Sequence, residues 1–106
     1  MSATHELIKL LVARGEVRIS EHGYDEMSAD GITIDDILVG VQEGEVLEDY
    51  PQYAKGPCVL ALQRDKTGDA LHVLWGTAAR TSSPAVLITA YRPDAARWMP
   101  DFRTRR

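Results

Sequence analysis

Two histidines, far apart in the chain, are the residues whose chemistry could be catalytic. His22 stands near the start of a predicted helix, and Glu26 follows four residues later on the same helical face, where its carboxylate could orient the ring. His72 lies in the apolar run 71–75, which predicts a strand. Because histidine titrates near neutral pH, either residue could act as a general acid or base. The structural interpretation is that His22 bridges its helix to a strand and that His72 belongs to the core.

The alternation of side chains along this strand decides what His72 can do. Leu71, Val73 and Trp75 point to one face of the strand, and His72 points to the other. If the apolar set faces the helices, His72 faces the open side of the sheet, where a substrate could bind. On the opposite assignment His72 is a core residue, and it then needs a buried hydrogen-bond partner.

The last predicted strand carries two hydroxyl groups on one face. Thr89 and Tyr91 share that face, and Arg92 lies on the other. Two hydroxyl groups near a histidine would suit a phosphate or a ribose. The preference of both residue types for strands explains them equally well.

Positive charge is concentrated near the C-terminus. The net charge of −4 argues against broad, sequence-independent binding of nucleic acid. Residues 1–79 carry 6 Lys/Arg against 14 Asp/Glu, whereas residues 80–106 carry 6 Arg against 2 Asp. One interpretation is that the basic end folds back onto the acidic helices or stays solvated. The other is a local anion site at Arg80, Arg92 and Arg97 with a mobile basic tail.

Composition and missing motifs exclude several classes of protein. A single cysteine, Cys58, rules out an internal disulfide and fits the cytosol. There is no zinc-ligand spacing, phosphate-binding glycine loop or nucleophile elbow, and we therefore predict neither a metal nor a cofactor. The lack of a long apolar run and of a signal-peptide pattern predicts a cytoplasmic protein without membrane contact.

The elements that must position these residues follow from periodicity and capping. Helices are predicted within residues 1–16 (capped by Ser2 or Thr4), after Ser20, and from Thr33 to Gly44. Residues 17–19 form a short extended piece, and strands are predicted at residues 45–50, 57–63, 70–76 and 85–91. The fold class is α+β: one domain, residues 1–106, with N-terminal helices packed on one face of a four-stranded antiparallel sheet. Residues 103–106 are predicted to be a disordered tail.

Six short segments, taken in order, resemble the outline of the domain-of-unknown-function family 4258 (DUF4258). They are an Ile-Ser-x-His start, a Gly-Ile-Ser/Thr helix cap, a Gly-Glu-Val strand, a His-Val strand, an Ile-Thr-x-Tyr-x-Pro-Asp segment and a late tryptophan. They are found here at residues 19–22, 31–33, 44–46, 71–73 and 88–94 and at Trp98. Each segment is short and degenerate, but their order and spacing span residues 17–98.

This family is similar to the compact ribonuclease toxins of toxin–antitoxin systems, the RelE, ParE and BrnT group. The resemblance implies the RelE/BrnT-like fold and metal-independent RNA cleavage. In that reaction a base takes the 2′-hydroxyl proton, an acid protonates the leaving oxygen and a cation stabilises the phosphorane. Carried over to this chain, His22 and His72 would be the catalytic acid and base. The substrate-binding candidates are Thr89, Tyr91, Arg92 and Arg80.

The chain departs from the family pattern in the helix that begins at His22. Members usually read His-Ala-x-x-Arg-Met-x-x-Arg there, whereas this chain places Glu26 and Asp30 at the two arginine positions. If those positions face the site, two anions in place of two cations should weaken the binding of a polyanionic substrate and the stabilisation of its transition state.

Two classes of function therefore remain open. The first is a toxin-like domain, either a metal-independent ribonuclease or its diverged inactive relative, with RNA and an antitoxin as partners. The alternative is a non-enzymatic protein-binding or oligomerisation module, a homodimer included, in which the predicted edge strand at residues 45–49 pairs with a partner strand. A small-molecule enzyme is a third hypothesis, since a fold alone licenses no reaction.

Overall fold

The computed structural model describes residues 2–78 and 80–106, which form an α+β fold with three helices and a five-stranded sheet. In chain order the elements are α1 (Ala3–Ala13), β1 (Val17–Ile19), α2 (Glu21–Ala29), α3 (Ile34–Leu38), β2 (Glu45–Tyr50), β3 (Cys58–Arg64), β4 (Ala70–Gly76) and β5 (Ala85–Tyr91).

The sheet is mixed, with the strand order β1-β5-β4-β3-β2. Every neighbouring pair is antiparallel except β1 and β5, which run parallel. The prediction of a four-stranded, wholly antiparallel sheet was therefore wrong, because residues 17–19 form a fifth strand. A run of three residues is too short to show alternation, and its partner, residues 85–87, lies far along the chain. Hydrogen bonds from Ala85 to the Glu16 carbonyl and from Ser20 to the Leu87 carbonyl extend this pairing at both ends.

Three predicted helix caps are confirmed. The side-chain oxygens of Ser2, Ser20 and Thr33 each accept a hydrogen bond from the backbone N–H three residues later. Thr33 also receives a reciprocal contact, since the Asp36 carboxylate accepts from the Thr33 N–H at 2.9 Å. These caps satisfy N–H groups that the first turn of a helix leaves unpaired.

The third helix is shorter than the sequence predicts, because α3 ends at Leu38 rather than near Gly44. The chain turns at Gly40, which packs so closely on β3 that a Cβ there would collide with the backbone of Arg64. The buried Gln63 side chain of β3 also donates to the Ile37 carbonyl at 2.7 Å. Contact with the sheet therefore ends the helix before its apolar pattern does.

The main core lies between the helices and one face of the sheet. Leu71, Val73 and Trp75 of β4 are fully buried there, packed with Ile8 of α1 and Met27 of α2 among others. This is the first of the two predicted assignments for β4. His72 consequently belongs to the face of the sheet that is turned away from the helices, which we call the open face.

Candidate functional site

Side chains of the open face form rows that run across the strands. One row crosses all five strands, and strand pairing aligns in it Arg18, Val86, Gly76, Cys58 and Tyr50. The next row holds Thr89, Leu74 and Leu60, and the one after it holds Tyr91, His72 and Leu62. The open face therefore has two ends, one around Gly76 and one around His72, which differ in what covers them.

His72 is completely buried although it lies on the open face. Its Nε2 is 2.8 Å from the carbonyl oxygen of Phe102, and its Nδ1 is 3.3 Å from the hydroxyl of Tyr91. Because a carbonyl only accepts hydrogen bonds, Nε2 carries the proton and Nδ1 accepts from the phenol. Burial lowers the pKa of His72, although the bond to Phe102 acts in the opposite direction. The ring is thus held neutral, and both of its nitrogens are occupied.

The cover over His72 is the C-terminal segment, residues 94–106, which we call the C-terminal strap. Its Trp98 is 4% exposed and meets the His72 ring edge-on at 4.4 Å between centroids. Arg103 forms two hydrogen bonds to the Glu45 carboxylate, at 2.6 and 2.7 Å, and Arg105 lies 3.4 Å from the Glu48 carboxylate. The basic end therefore folds onto β2 and not onto the acidic helices.

His22 occupies a different part of the molecule. It lies on α2, in the helical layer, and its side chain is 68% exposed. Its Nε2 is 3.5 Å from Oε1 of Glu26, so the predicted pairing of these two residues within one helix face is present. Because His72 is on the opposite face of the sheet, the structure does not bring the two histidines to one reaction centre.

The remaining candidates are distributed along β5. Tyr91 contacts His72, and Thr89 lies one row away, directly opposite Leu74. Arg92 turns to the β3–β4 loop, where its guanidinium binds the Asp65 carboxylate at 3.0 Å. Arg80 is exposed at the other end of β5, with a positive φ of 67°. Arg80 and Arg92 therefore belong to segments at opposite ends of the seven-residue strand β5.

The uncovered end of the open face forms a groove of about 610 Å³. Its floor is apolar and includes Leu74, Val86 and Ile88. The other lining residues are Arg18, Tyr50, Tyr53, Lys55, Gly56, Cys58, Gly76, Thr77 and Ala78. We call this depression the tyrosine groove, because two tyrosines, 45% and 56% exposed, stand on its rim.

Gly76 lines the tyrosine groove and is the residue without a side chain in the row that crosses the sheet. A Cβ at this position would lie 2.9 Å from both the Ile88 side chain and the Pro57 carbonyl, closer than such atoms approach in proteins. The row of side chains that crosses the sheet is therefore interrupted at its middle strand. Ile88 and Pro57 occupy the space that a side chain at Gly76 would need, and Gly76 itself is buried.

The charge of the tyrosine groove is opposite to that of the chain. Among its described lining residues are two cations, Arg18 and Lys55, and no carboxylate, whereas the whole chain has a net charge of −4. A hydrogen bond to Glu48 raises the pKa of the Tyr50 phenol, and burial raises the pKa of the Cys58 thiol. Both groups stay protonated at neutral pH, and the described lining residues include neither a histidine nor a carboxylate to act as a base, since Glu48 is outside the lining and bonded to the Tyr50 phenol.

The family model described as "Domain of unknown function (DUF4258)" matches residues 19–92. The chain belongs to the DUF4258 family. A search of curated proteins and a search of solved structures both found no match.

The DUF4258 match contains most of this open face. It includes β2 to β5, and therefore His72 and most of the tyrosine groove, but it ends at Arg92. The C-terminal strap lies outside it. The part of the chain that covers His72 is thus distinct from the part that the DUF4258 match defines.

Sequence reasoning missed the residues of the tyrosine groove. The sequence predicts Arg18 only as part of an extended piece and Tyr50 only as the end of a strand, and no site prediction includes Tyr53 or Lys55. The available signal was the cluster of two tyrosines and a lysine beside Gly56 and Pro57, at the end of one predicted strand and before the next.

Within residues 2–78 and 80–106, no group of three or more His, Cys, Asp or Glu side chains is arranged to hold a metal ion. None of the described helices combines the length and apolar character needed to cross a membrane.

Proposed function

We propose that this DUF4258 protein is a toxin-like, RNA-directed domain that binds single-stranded RNA in the tyrosine groove without cleaving it. The observation that carries the proposal is a groove with two cations, two exposed tyrosine rings and no carboxylate, in a chain that is otherwise acidic. Helices on one face of a sheet and a ligand groove on the other would also fit a RelE/BrnT-like domain.

The groove chemistry matches single-stranded RNA in three respects. The exposed rings of Tyr50 and Tyr53 can stack on unpaired bases, which is the usual way that proteins hold single strands. Arg18 and Lys55 can neutralise phosphates along the same path. The apolar floor around Gly76 can receive the face of one base.

Binding without cleavage follows from the positions of the histidines. Cleavage needs an acid and a base on either side of one phosphate, whereas His22 is in the helical layer and His72 lies on the opposite face of the sheet, whether or not the strap covers it. Arg92, which would have supplied positive charge, is paired with Asp65. The protein is therefore proposed to be the diverged, inactive relative of a ribonuclease toxin.

Fluorescence anisotropy with a labelled single-stranded RNA of about 12 nucleotides tests the proposal in EDTA. Arg18→Glu should weaken binding at least about tenfold and reduce the salt dependence by about one phosphate contact. Tyr53→Ala should weaken binding while leaving the salt dependence unchanged. Arg14→Glu, which changes an exposed arginine at the end of α1, is the matched charge control.

Equal loss of affinity in the Arg14 and Arg18 variants, or no binding by the wild type, would refute the proposal that RNA binds in the tyrosine groove. The same mixtures, separated on a gel, show whether the RNA stays intact. If the wild type cleaves the RNA and the His22→Ala or His72→Ala variant does not, the protein is a metal-independent ribonuclease, and the proposal of binding without cleavage is refuted.

The second candidate function, protein binding, is favoured by one observation: β2 is the terminal strand of the sheet. An edge strand of six residues offers unpaired backbone groups to a strand of another protein or of a second copy. Light scattering over a wide concentration range measures the oligomeric state. A strictly monomeric protein would exclude pairing with a second copy.

A further inference from the structure

We propose that the C-terminal strap is a releasable latch, which hides the His72–Tyr91 pair and opens when a polyanion competes with Glu45 and Glu48 for Arg103 and Arg105. The anchoring of the strap and the continuity of the covered surface with the tyrosine groove carry this inference. The release of the strap by RNA rests on the proposed function, because RNA is the polyanion that the groove would bring to the strap.

The covered surface continues the tyrosine groove along the sheet. Leu74 lines the groove, and His72 lies two residues away on the same strand and the same face. Thr89 and Tyr91 continue in the same direction on β5. Removing the strap would therefore extend the groove by an imidazole and a phenol, both of which can contact ribose or phosphate.

Two of the contacts that hold the strap are exposed ion pairs to β2, and others are the buried Trp98 ring and the hydrogen bond from His72 to the Phe102 carbonyl. The strap backbone makes one isolated bridge within the strap, between Trp98 and Arg105, and no described strand of the sheet pairs with it. Phe102, at the turn, has a φ of 57°, a conformation that residues other than glycine rarely adopt. The two ion pairs to β2 are exposed and thus sensitive to salt and to competing anions.

The arginines that close the latch are suited to respond to RNA. Guanidinium groups bind phosphates in the same forked geometry in which Arg103 now binds Glu45. Arg105 also stacks over Trp98 at 4.6 Å, so its withdrawal would remove a contact from the ring that covers His72. Competition of a polyanion for Arg103 and Arg105 is thus coupled to the exposure of His72.

Chemical modification of histidines measures the state of the latch in the full-length protein. Diethyl pyrocarbonate modifies accessible imidazoles, and peptide mass spectrometry reports each histidine separately. His22 is exposed and serves as the positive reference, whereas His5 on α1 is 5% exposed and reports unfolding of the helical layer. The wild type should show fast modification of His22 and slow modification of both His5 and His72.

The variant Glu45→Gln with Glu48→Gln breaks the latch but keeps both arginines. It should raise the modification rate of His72 at least about tenfold, as expected for a local opening, with His5 unchanged. Glu16→Gln with Glu21→Gln is the matched control, because both carboxylates are exposed beside β1 and α2, on the far side of the sheet from β2. Tripolyphosphate, a polyanion too small to need the groove, should raise the rate for His72 in the wild type.

The outcomes separate the latch from the proposed function. Unchanged His72 reactivity in the Glu45/Glu48 variant overturns the latch, whatever RNA does. Exposure in that variant without any effect of tripolyphosphate overturns release by polyanions. If tripolyphosphate exposes His72 but the RNA neither binds the protein nor exposes His72, the latch is supported and the proposal of RNA binding in the groove is refuted.

Discussion

Replacing Gln63 with leucine should destabilise the fold, although leucine has a similar volume and is more apolar. Gln63 is 1% exposed, and its amide links two elements. Its Nε2 donates to the Ile37 carbonyl at 2.7 Å, and its Oε1 accepts from the indole N–H of Trp75 at 2.9 Å. Trp75 lies between Leu74 and Gly76, two lining residues of the tyrosine groove.

The two lost hydrogen bonds have unequal consequences. The Ile37 carbonyl keeps a second donor, the Gly40 N–H at 3.2 Å, and loses about 1 kcal/mol with Gln63. The Trp75 N–H is fully buried and has no other partner among the described residues, so its desolvation adds about 1–3 kcal/mol. Better burial of leucine offsets roughly 1 kcal/mol of this sum. The net loss of unfolding free energy should be about 2 kcal/mol.

Equilibrium unfolding in urea, followed by tryptophan fluorescence and by circular dichroism, measures this change. With an m-value of roughly 1.5 kcal/mol/M, the midpoint should fall by about 1 M. Gln42→Leu is the matched control, because Gln42 is exposed and its side chain makes one hydrogen bond within the described part of the chain, to the Lys9 carbonyl. It should change stability by less than about 0.5 kcal/mol.

A double-mutant cycle with Trp75→Phe gives the test that could refute the reasoning. Each single variant leaves one buried polar group without its partner, whereas the double variant removes both groups of the indole–amide hydrogen bond. The double variant should therefore be more stable than the sum of the single changes predicts, by at least about 1 kcal/mol. Additive changes, or a Gln63 variant as stable as the Gln42 variant, would refute this account of the buried amide.

Two further predictions concern pH. Burial raises the pKa of Asp65, but hydrogen bonds from Thr67, Asp69 and Arg92 outweigh it and lower the pKa from 3.8 to about 2. The unfolded chain binds more protons between these values, so the wild type should lose stability as the pH falls through them. The Asp65→Asn variant should be less stable than the wild type at neutral pH, and its stability should decrease less on acidification. Thermal unfolding measures both, and an equal decrease in the Tm of the two proteins in acid would contradict this prediction. His5 is buried, its Nε2 has no partner in the described structure, and burial is the main cause of its pKa being lower than 6.5. His5 therefore binds a proton less readily in the folded protein than in the unfolded chain, and it destabilises the fold as the pH falls below 6.5. His5→Leu should raise the Tm, most clearly below pH 6.5, and a lower Tm of the variant at every pH would exclude this account.

Local patterns predicted most of the elements because their causes are local. Ser20 and Thr33 cap helices through bonds that span three residues, and the alternation along β4 and β5 follows from the pleat of a strand. The same alternation separated His72 from Leu71, Val73 and Trp75 and put Thr89 and Tyr91 together on β5, but it left open which face of β4 the helices cover. These features needed no knowledge of distant parts of the chain.

The site required contacts between distant residues. Three residues at positions 17–19 became a strand only because β5 lies beside them, and this pairing brought Arg18 to the tyrosine groove. The function of Gly76 as a gap in a row of side chains is likewise invisible without the neighbouring strands.

The sequence by itself determined which residues can begin helices, which side chains alternate and where the charges lie, because these properties depend on spacings of a few residues. The tertiary structure decided that His72 is covered, that His22 lies across the sheet from it, and that Arg92 is paired with Asp65. It also decided where the basic end binds, since Arg103 reaches Glu45 only when the strap crosses the open face. Accessibility is a property of the packed chain, and residue type and spacing do not encode it locally.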